Sequence, residues 1–472
     1  MDFRTTSLAE LAHSVRTRQT SARELTTEAL DRITALNPRY NAFVAVDGER
    51  AMADAAALDE VIARGGDPGP LAGIPLAVKD NHDALGYRST HGAPVLGDAP
   101  VATADSPFVA RLRAAGCIVV GKTNMPDFAA SSNTSNALFG PTANPFNTDH
   151  GPGGSSGGSA AALAAGMVPL ATGSDGGGSI RLPSACCGLS GMKPSLGRVP
   201  SGGPSPMSWI DLSTNGPMAR RIGDIVAALD VVVGPEPSDL RSLPRPEASW
   251  PAALEDPHVP IRVAWAPTLG YATVDPEVLA ICERAVEMLE SIGADVTVLE
   301  SVFETEPVSD FVTLMGACQL RTMRPFMGHP RWTEIDPMLR ALVDAAQSTT
   351  AEQLVRALDR CHLMNLELVD LFHSVRILVT PTASAVAPFV GTGQSTIDGE
   401  TTGNWLHFTY PFNMTRSPAA TVCAGLTSGG LPVGLQLIGP QHGDLVVLRT
   451  AAALEAALDT ARGFELLAPV EE

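Results

Sequence analysis

Two glycine-serine loops hold the side chains best suited to covalent chemistry. They are Gly153-Gly154-Ser155-Ser156-Gly157-Gly158-Ser159 and Gly173-Ser174-Asp175-Gly176-Gly177-Gly178-Ser179-Ile180-Arg181, with Lys79 upstream at the end of the run Ile74 to Val78. Glycines let backbone N–H groups approach a ligand more closely than bulkier residues could. A serine hydroxyl is inert until a base activates it. A lysine in an apolar setting can be that base, because desolvation draws its pKa down from about 10.4 toward the working range.

Other readings of the glycines fail on particular residues. A phosphate loop needs a lysine after Gly158, where Ser159 stands. A nucleophile elbow centred on Ser155 or Ser156 needs a strand just before it, and residues 144 to 152 are turn chemistry throughout. A flexible linker would not run into a small-residue helix and the apolar run Met167 to Ala171.

The order of motifs resembles that of the amidase signature family. The resemblance rests on the two loops, on Cys187-Gly188-Leu189-Ser190-Gly191-Met192-Lys193-Pro194, and on landmarks at Gly121 to Phe128, Phe139 to Pro145, Gly216 to Arg220 and Gly430 to Gln436. It covers nearly the whole chain and is weakest between about 300 and 370. It implies a mixed α/β fold over one amidase domain spanning 1–472, with the signature core at 60–235 and a mainly helical variable segment at 300–373 that lines the substrate pocket.

Carried over by motif, the resemblance makes Ser179 the nucleophile, Ser155 a bridging serine after a cis peptide, and Lys79 the base. The N–H groups of Gly176, Gly177, Gly178 and Ser179 would form the oxyanion hole. Ser156, Asp175 and Arg181 would hold the loops in shape. Gly176 departs from the family, which usually carries a larger residue such as threonine there. Pocket walls are expected from Met125, Asp127, the Ser131 stretch, Trp209, Ile210 and Cys318, with Gln319 beside it, and a carbonyl near Met125 to Thr134 would accept the substrate N–H. Met315, Met323, Met327 and Met338 read as fillers of core gaps.

The resemblance implies hydrolysis of a neutral, partly hydrophobic amide through an acyl-enzyme, with carbamates and esters as close variants and no cofactor or metal. A glutamyl-tRNA amidotransferase A-type subunit, which releases ammonia from glutamine, is the alternative. That subunit usually carries Ser-Leu-Asp-Gln before its Gly-Pro, and the stretch Trp209 to Pro217 lacks the glutamine.

Composition narrows the partners. A formal charge of −19 over 472 residues disfavours nucleic acid and anionic membrane surfaces. The seven cysteines form no C-x-x-C pair, and the ten histidines have no metal-ligand spacing. The first residues lack a basic-then-apolar leader, so a cytoplasmic enzyme is expected. A homodimer is left open.

Helical and strand patterns alternate around a mixed sheet flanked by helices. A capping box at Ser21 to Glu24 opens a helix that Asn37-Pro38 should stop. Leu71 to Val78 reads as the strand delivering Lys79, Cys117 to Val120 as a buried strand, and Met167 to Ala171 as the strand before the nucleophile loop. Seven prolines between Gly234 and Pro260 mark a connection. Beyond it, Ile261 to Ala266, a helix from Pro276 to Ser291, and Ala294 to Leu299 form a strand-helix-strand set.

Overall fold

The computed structural model describes residues 2–204, 206, 209–254 and 262–459. Its strands are β1 (Phe43–Val46), β2 (Pro75–Lys79), β3 (Ile118–Thr123), β4 (Leu170–Asp175), β5 (Ser190–Lys193), β6 (Thr214–Ala219), β7 (Arg262–Trp265), β8 (Asp295–Val298), β9 (Ile377–Pro381), β10 (Ser395–Ile397), β11 (Glu400–Thr402), β12 (Ala419–Leu426) and β13 (Pro432–Ile438). Eleven of them form one sheet in the order β1-β3-β2-β4-β6-β5-β12-β13-β9-β7-β8, while β10 and β11 pair apart. The expected mixed α/β architecture is present. Ile261, the expected first residue of β7, lies outside the described residues.

The sheet centre explains the site's position. β2 runs parallel to both β3 and β4, and all three are buried along their length, as strands covered on both faces are. Parallel neighbours end at the same edge of a sheet, so Lys79 at the end of β2 and Asp175 at the end of β4 emerge side by side. Both strands are displaced from the expected runs. β2 begins at Pro75 and includes Lys79, and β4 runs past Ala171 into the glycine loop.

The helix Gly157–Ala164 is buried throughout. Its small residues allow that burial: a Cβ on Gly158 would stand 2.4 Å from the Asn124 backbone nitrogen. The helix from Ala22 does not stop at Asn37-Pro38 but continues to Tyr40. Asn37 is occupied otherwise, since its side-chain amide exchanges hydrogen bonds with the Phe43 backbone N–H and C=O at 2.7 and 3.0 Å. Pro38 gives up one helical N–H in the last turn, where the cost is smaller than in the interior.

The segment after residue 303 is helical, with Val308–Met323, Pro337–Ala346 and Ala351–Ser374. Met315, Met323 and Met327 pack in apolar clusters as expected, but Met338 is 82% exposed at the start of its helix and fills no gap.

Candidate active site

Lys79 is completely buried, and its Nζ lies 2.8 Å from Ser155 Oγ and 3.0 Å from Ser174 Oγ. Asn81 Nδ2 also donates to Ser174 Oγ, at 3.1 Å. Ser174 can therefore accept from both nitrogens, leaving the lysine lone pair for the Ser155 hydroxyl. Burial draws the Lys79 amine down to about 7, and the nearby Asp175 carboxylate works against it. Thr172 fixes the end of β2, because its hydroxyl accepts from the Lys79 backbone N–H at 2.9 Å and contacts His82 Nδ1 at the same distance. Burial and the neighbouring lysine push His82 down to about 3, so its ring is neutral.

The Gly154–Ser155 peptide is cis. A Cβ on Gly154 would stand 2.8 Å from the Ser132 carbonyl carbon and 2.9 Å from the Ser131 oxygen, so the Ser131 stretch backs directly onto the Gly154–Ser155 peptide. Ser155 and Ser156 are both buried, whereas Ser179 and Gly177 reach partial exposure. The expected relay contact is not formed: among the described residues Ser179 Oγ has no hydrogen-bonding partner. The two loops are joined instead by the Ser156 N–H, which donates to the Ser179 carbonyl at 3.2 Å.

Asp175 and Arg181 hold the second loop. Arg181 grips the Asp175 carboxylate with Nε and Nη2 at 2.9 and 2.8 Å, both residues fully buried. Burial alone would raise the Asp175 pKa, yet the guanidinium, followed by Lys193 and Asn413, holds it well below the usual carboxylate range. The carboxylate also receives the N–H groups of Gly178 at 2.8 Å and Ile180 at 3.2 Å. That corrects the expected oxyanion hole, because the Gly178 N–H is already donated to Asp175. Among the described residues the N–H groups of Gly176, Gly177 and Ser179 have no partner and remain available.

The pocket residues divide. Trp209 is buried against the loop, so that a Cβ on Gly176 would stand 2.6 Å from its ring, and one on Gly177 would stand 2.8 Å from Phe311. Phe311 stacks on Tyr410 with centroids 4.8 Å apart and lies 6.4 Å from Trp209. Asp211 orients the Trp209 turn by pairing with Arg241 and Arg416. Ile210, next to it, is 43% exposed, while its backbone N–H meets the Cys318 thiol, whose pKa burial raises.

On the other side, Asp127 is buried with Oδ1 unpartnered, and burial pushes it up to about 7. Gln319 Nε2 donates to the Phe128 carbonyl beside it at 3.1 Å, so the helix Val308–Met323 touches both the Asp127 and Ile210 loops. Met125 is buried and its carbonyl accepts from Asn136 Nδ2 at 2.8 Å, so one of its lone pairs is engaged. Ser131 Oγ accepts from the Asn133 N–H at 3.0 Å.

Sequence reasoning missed Ser174, Phe311, Tyr410, Asn413 and Thr409, whose hydroxyl donates to the Gly177 carbonyl at 2.7 Å. Ser174 lies within β4, and strand alternation puts it on the same face as Thr172, beside Lys79. The others come from segments far along the chain with no local signal. Among the described residues no group of three or more His, Cys, Asp or Glu side chains is placed to hold a metal, and no helix is long and apolar enough to cross a membrane.

The amidase family model matches residues 24–448. An acylamidase of Rhodococcus erythropolis is 37% identical over 466 residues, covering 95% of each chain. The A-type component of the glutamyl-tRNA(Gln) amidotransferase of Thiobacillus denitrificans is 34% identical, covering 96% of this chain and 97% of that protein. Among solved structures, a bacterial aryl acylamidase of the amidase signature family superposes with a TM-score of 0.93 at 28% identity over 99% of both chains. A 6-aminohexanoate cyclic dimer hydrolase complexed with substrate superposes at 0.88 with 27% identity, covering 97% and 98%. With its family match, its relatives and its fold in agreement, the chain belongs to the amidase signature family of enzymes that hydrolyse C–N amide bonds.

Proposed function

We propose that the chain is a serine amidase that acts without a partner protein on neutral, partly hydrophobic amides through an acyl-enzyme on Ser179. The observation that carries this reading is the 2.8 Å contact of a dry Lys79 amine with Ser155, its pKa near 7. The neutral amine takes the Ser155 proton, Ser155 takes that of Ser179 once the substrate turns Ser179 Oγ toward it, and Ser179 attacks the acyl carbon. Charge on the carbonyl oxygen falls to the free N–H groups of Gly176, Gly177 and Ser179, where one such donor contributes about 3–4 kcal/mol. The relay then returns its proton to the departing amine, and water repeats the cycle on the ester.

Trp209, Phe311 and Tyr410 stand over the same loop and favour a flat apolar group next to the scissile carbonyl. The buried Trp209 Nε1, without a partner among the described residues, can donate to an acceptor on that group. Likeness to an acylamidase and an aryl acylamidase supports an anilide or acyl amide, and carbamates and esters would use the same machinery. Likeness to A-type amidotransferase components supports glutamine hydrolysis as the second reading. Purified chain assayed on anilides, primary amides, carbamates and glutamine decides between them. Turnover of neutral amides by the chain alone, with a sulfonyl fluoride labelling Ser179, is the expected result. Activity confined to glutamine and dependent on a second protein would replace the proposal with the alternative.

A further inference from the structure

The parallel ladder between β2 and β4 is registered at Leu76 and Ala77 and ends there. At Lys79 the strand N–H turns instead to a side chain, the Thr172 hydroxyl on β4, at 2.9 Å. A buried hydroxyl that accepts there still has its own proton to place. His82 takes it. The His82 side chain is buried, with Nδ1 2.9 Å from Thr172 Oγ and Nε2 3.1 Å from Asn215 Oδ1. Asn215 donates through Nδ2 to Ser201 Oγ at 3.2 Å, so Oδ1 is its acceptor and the ring proton belongs on Nε2. That leaves the Nδ1 lone pair for the Thr172 O–H, and the chain from Lys79 to Ser201 is continuous.

The amine end of Lys79 is held in the same manner. Ser174, two residues past Thr172 on the same face of β4, meets Nζ at 3.0 Å and accepts from Asn81 Nδ2 at 3.1 Å. Asn81 and His82 therefore stand behind the two hydroxyls that grip the lysine, one at each end. The His82 backbone N–H also donates to the Lys79 carbonyl at 2.9 Å. Its ring meets the buried Phe108 edge to face, with centroids 5.5 Å apart, and so fills space beside the base.

We infer that His82 is a positioning residue for the amide hydrolysis: through Thr172 it fixes where Lys79 leaves β2, and by its bulk it keeps water from the amine. The inference rests on Lys79 as the base. The ring acts as a neutral spacer, because burial and the neighbouring Lys79, Lys122 and His91 all disfavour its charged form. Lys122 is itself paired with Asp80 at 3.5 Å, and Asp175 is the carboxylate that faces Lys79.

Lys79, Lys122 and Lys193 are the chain's three lysines, and all are completely buried. Protein isotopically labelled at lysine Cε therefore gives three signals by NMR, and the one missing from Lys79→Ala reports Lys79. His82→Ala opens the space beside the amine to water, so the Lys79 midpoint should rise from near 7 by about one pH unit. At pH 7 kcat should fall about tenfold with KM changed less than about twofold. Lys193, whose amine reaches the Pro194 carbonyl, should keep its midpoint. His82→Phe keeps a ring against Phe108 and removes both nitrogens. It should leave the Lys79 midpoint in place and still lower kcat, and adding Thr172→Val to it should lose less than Thr172→Val loses alone. A Lys79 midpoint that stays near 7 in His82→Ala overturns the inference, as does a shift shared by Lys193 or full additivity of the His82→Phe and Thr172→Val losses. The titration needs no substrate, so a chain inactive on neutral amides would refute the function proposed above while the lysine signals still decide this inference.

Discussion

Lys79 can serve as a base at neutral pH because it is dry, and the same dryness sets the pH dependence. Burial lowers its pKa to about 7, so the amine is protonated below that value and free above it. The rate on an amide should rise about tenfold per pH unit below 7 and level off above it, and Lys79→Ala should lose the rise together with most of the rate. Esters have better leaving groups and depend less on a returned proton, so Lys79→Ala should slow a matched ester less than the amide. Rates of the two substrates across pH check both points, and an unchanged profile in the variant would assign the base to another residue. Lys193 is also buried and drawn down to about 7, but its Nζ reaches the Pro194 carbonyl and not a serine. A shifted pKa alone therefore does not single out a base, and the contact with Ser155 is what favours Lys79 over Lys193.

At the scale of the elements, the second glycine loop is shaped by what packs on it. Trp209 fills the space that a side chain at position 176 would need, with only 2.6 Å left for a Cβ. Gly176→Thr should therefore push the indole or the loop out of place and lower kcat/KM at least about tenfold. Combining it with Trp209→Ala should recover part of that loss, a coupling that a double-mutant cycle measures. Additive losses would mean that the two residues do not share the space. The approach of Lys79 to the glycine-serine loops, the alternation of elements and the odd glycine were legible in the sequence because local motifs carry them. The indole that explains the glycine was legible only as a residue near the site. Phe311 and Tyr410 were not, since neither their helix nor their loop has a pattern that points at residue 177. The donated Gly178 N–H was hidden for a related reason: three equivalent glycines in sequence become inequivalent once Asp175 selects one of them. Pro38 misled because a proline in a last helical turn looks like a stop when the side-chain contacts of Asn37 are unseen.

At the scale of the whole molecule, Arg181 is a clasp. It joins Asp175 at the end of β4 to the Thr409 carbonyl, the Asn413 side chain and Gln436 on β13, at 2.9, 2.6 and 2.6 Å, and so ties the second glycine loop to chain more than 220 residues downstream. Arg181→Leu would strand the Asp175 charge in the interior and should destabilise the fold by about 3–5 kcal/mol, read as a lowered denaturant midpoint. Removing both charges with Asp175→Asn should cost less than the sum of the single changes. The pH dependence has a definite sign. Asp175 has its pKa depressed from 3.8 in the fold, so its stabilising share is complete above about pH 4 and is lost on further acidification. The double variant should lose that acid sensitivity. It also removes the carboxylate that favours a protonated Lys79, so if it stays folded the midpoint of its pH-rate profile should fall below 7. A midpoint that stays near 7 would separate the clasp from the base, leaving Asp175 to hold the loop without tuning the lysine.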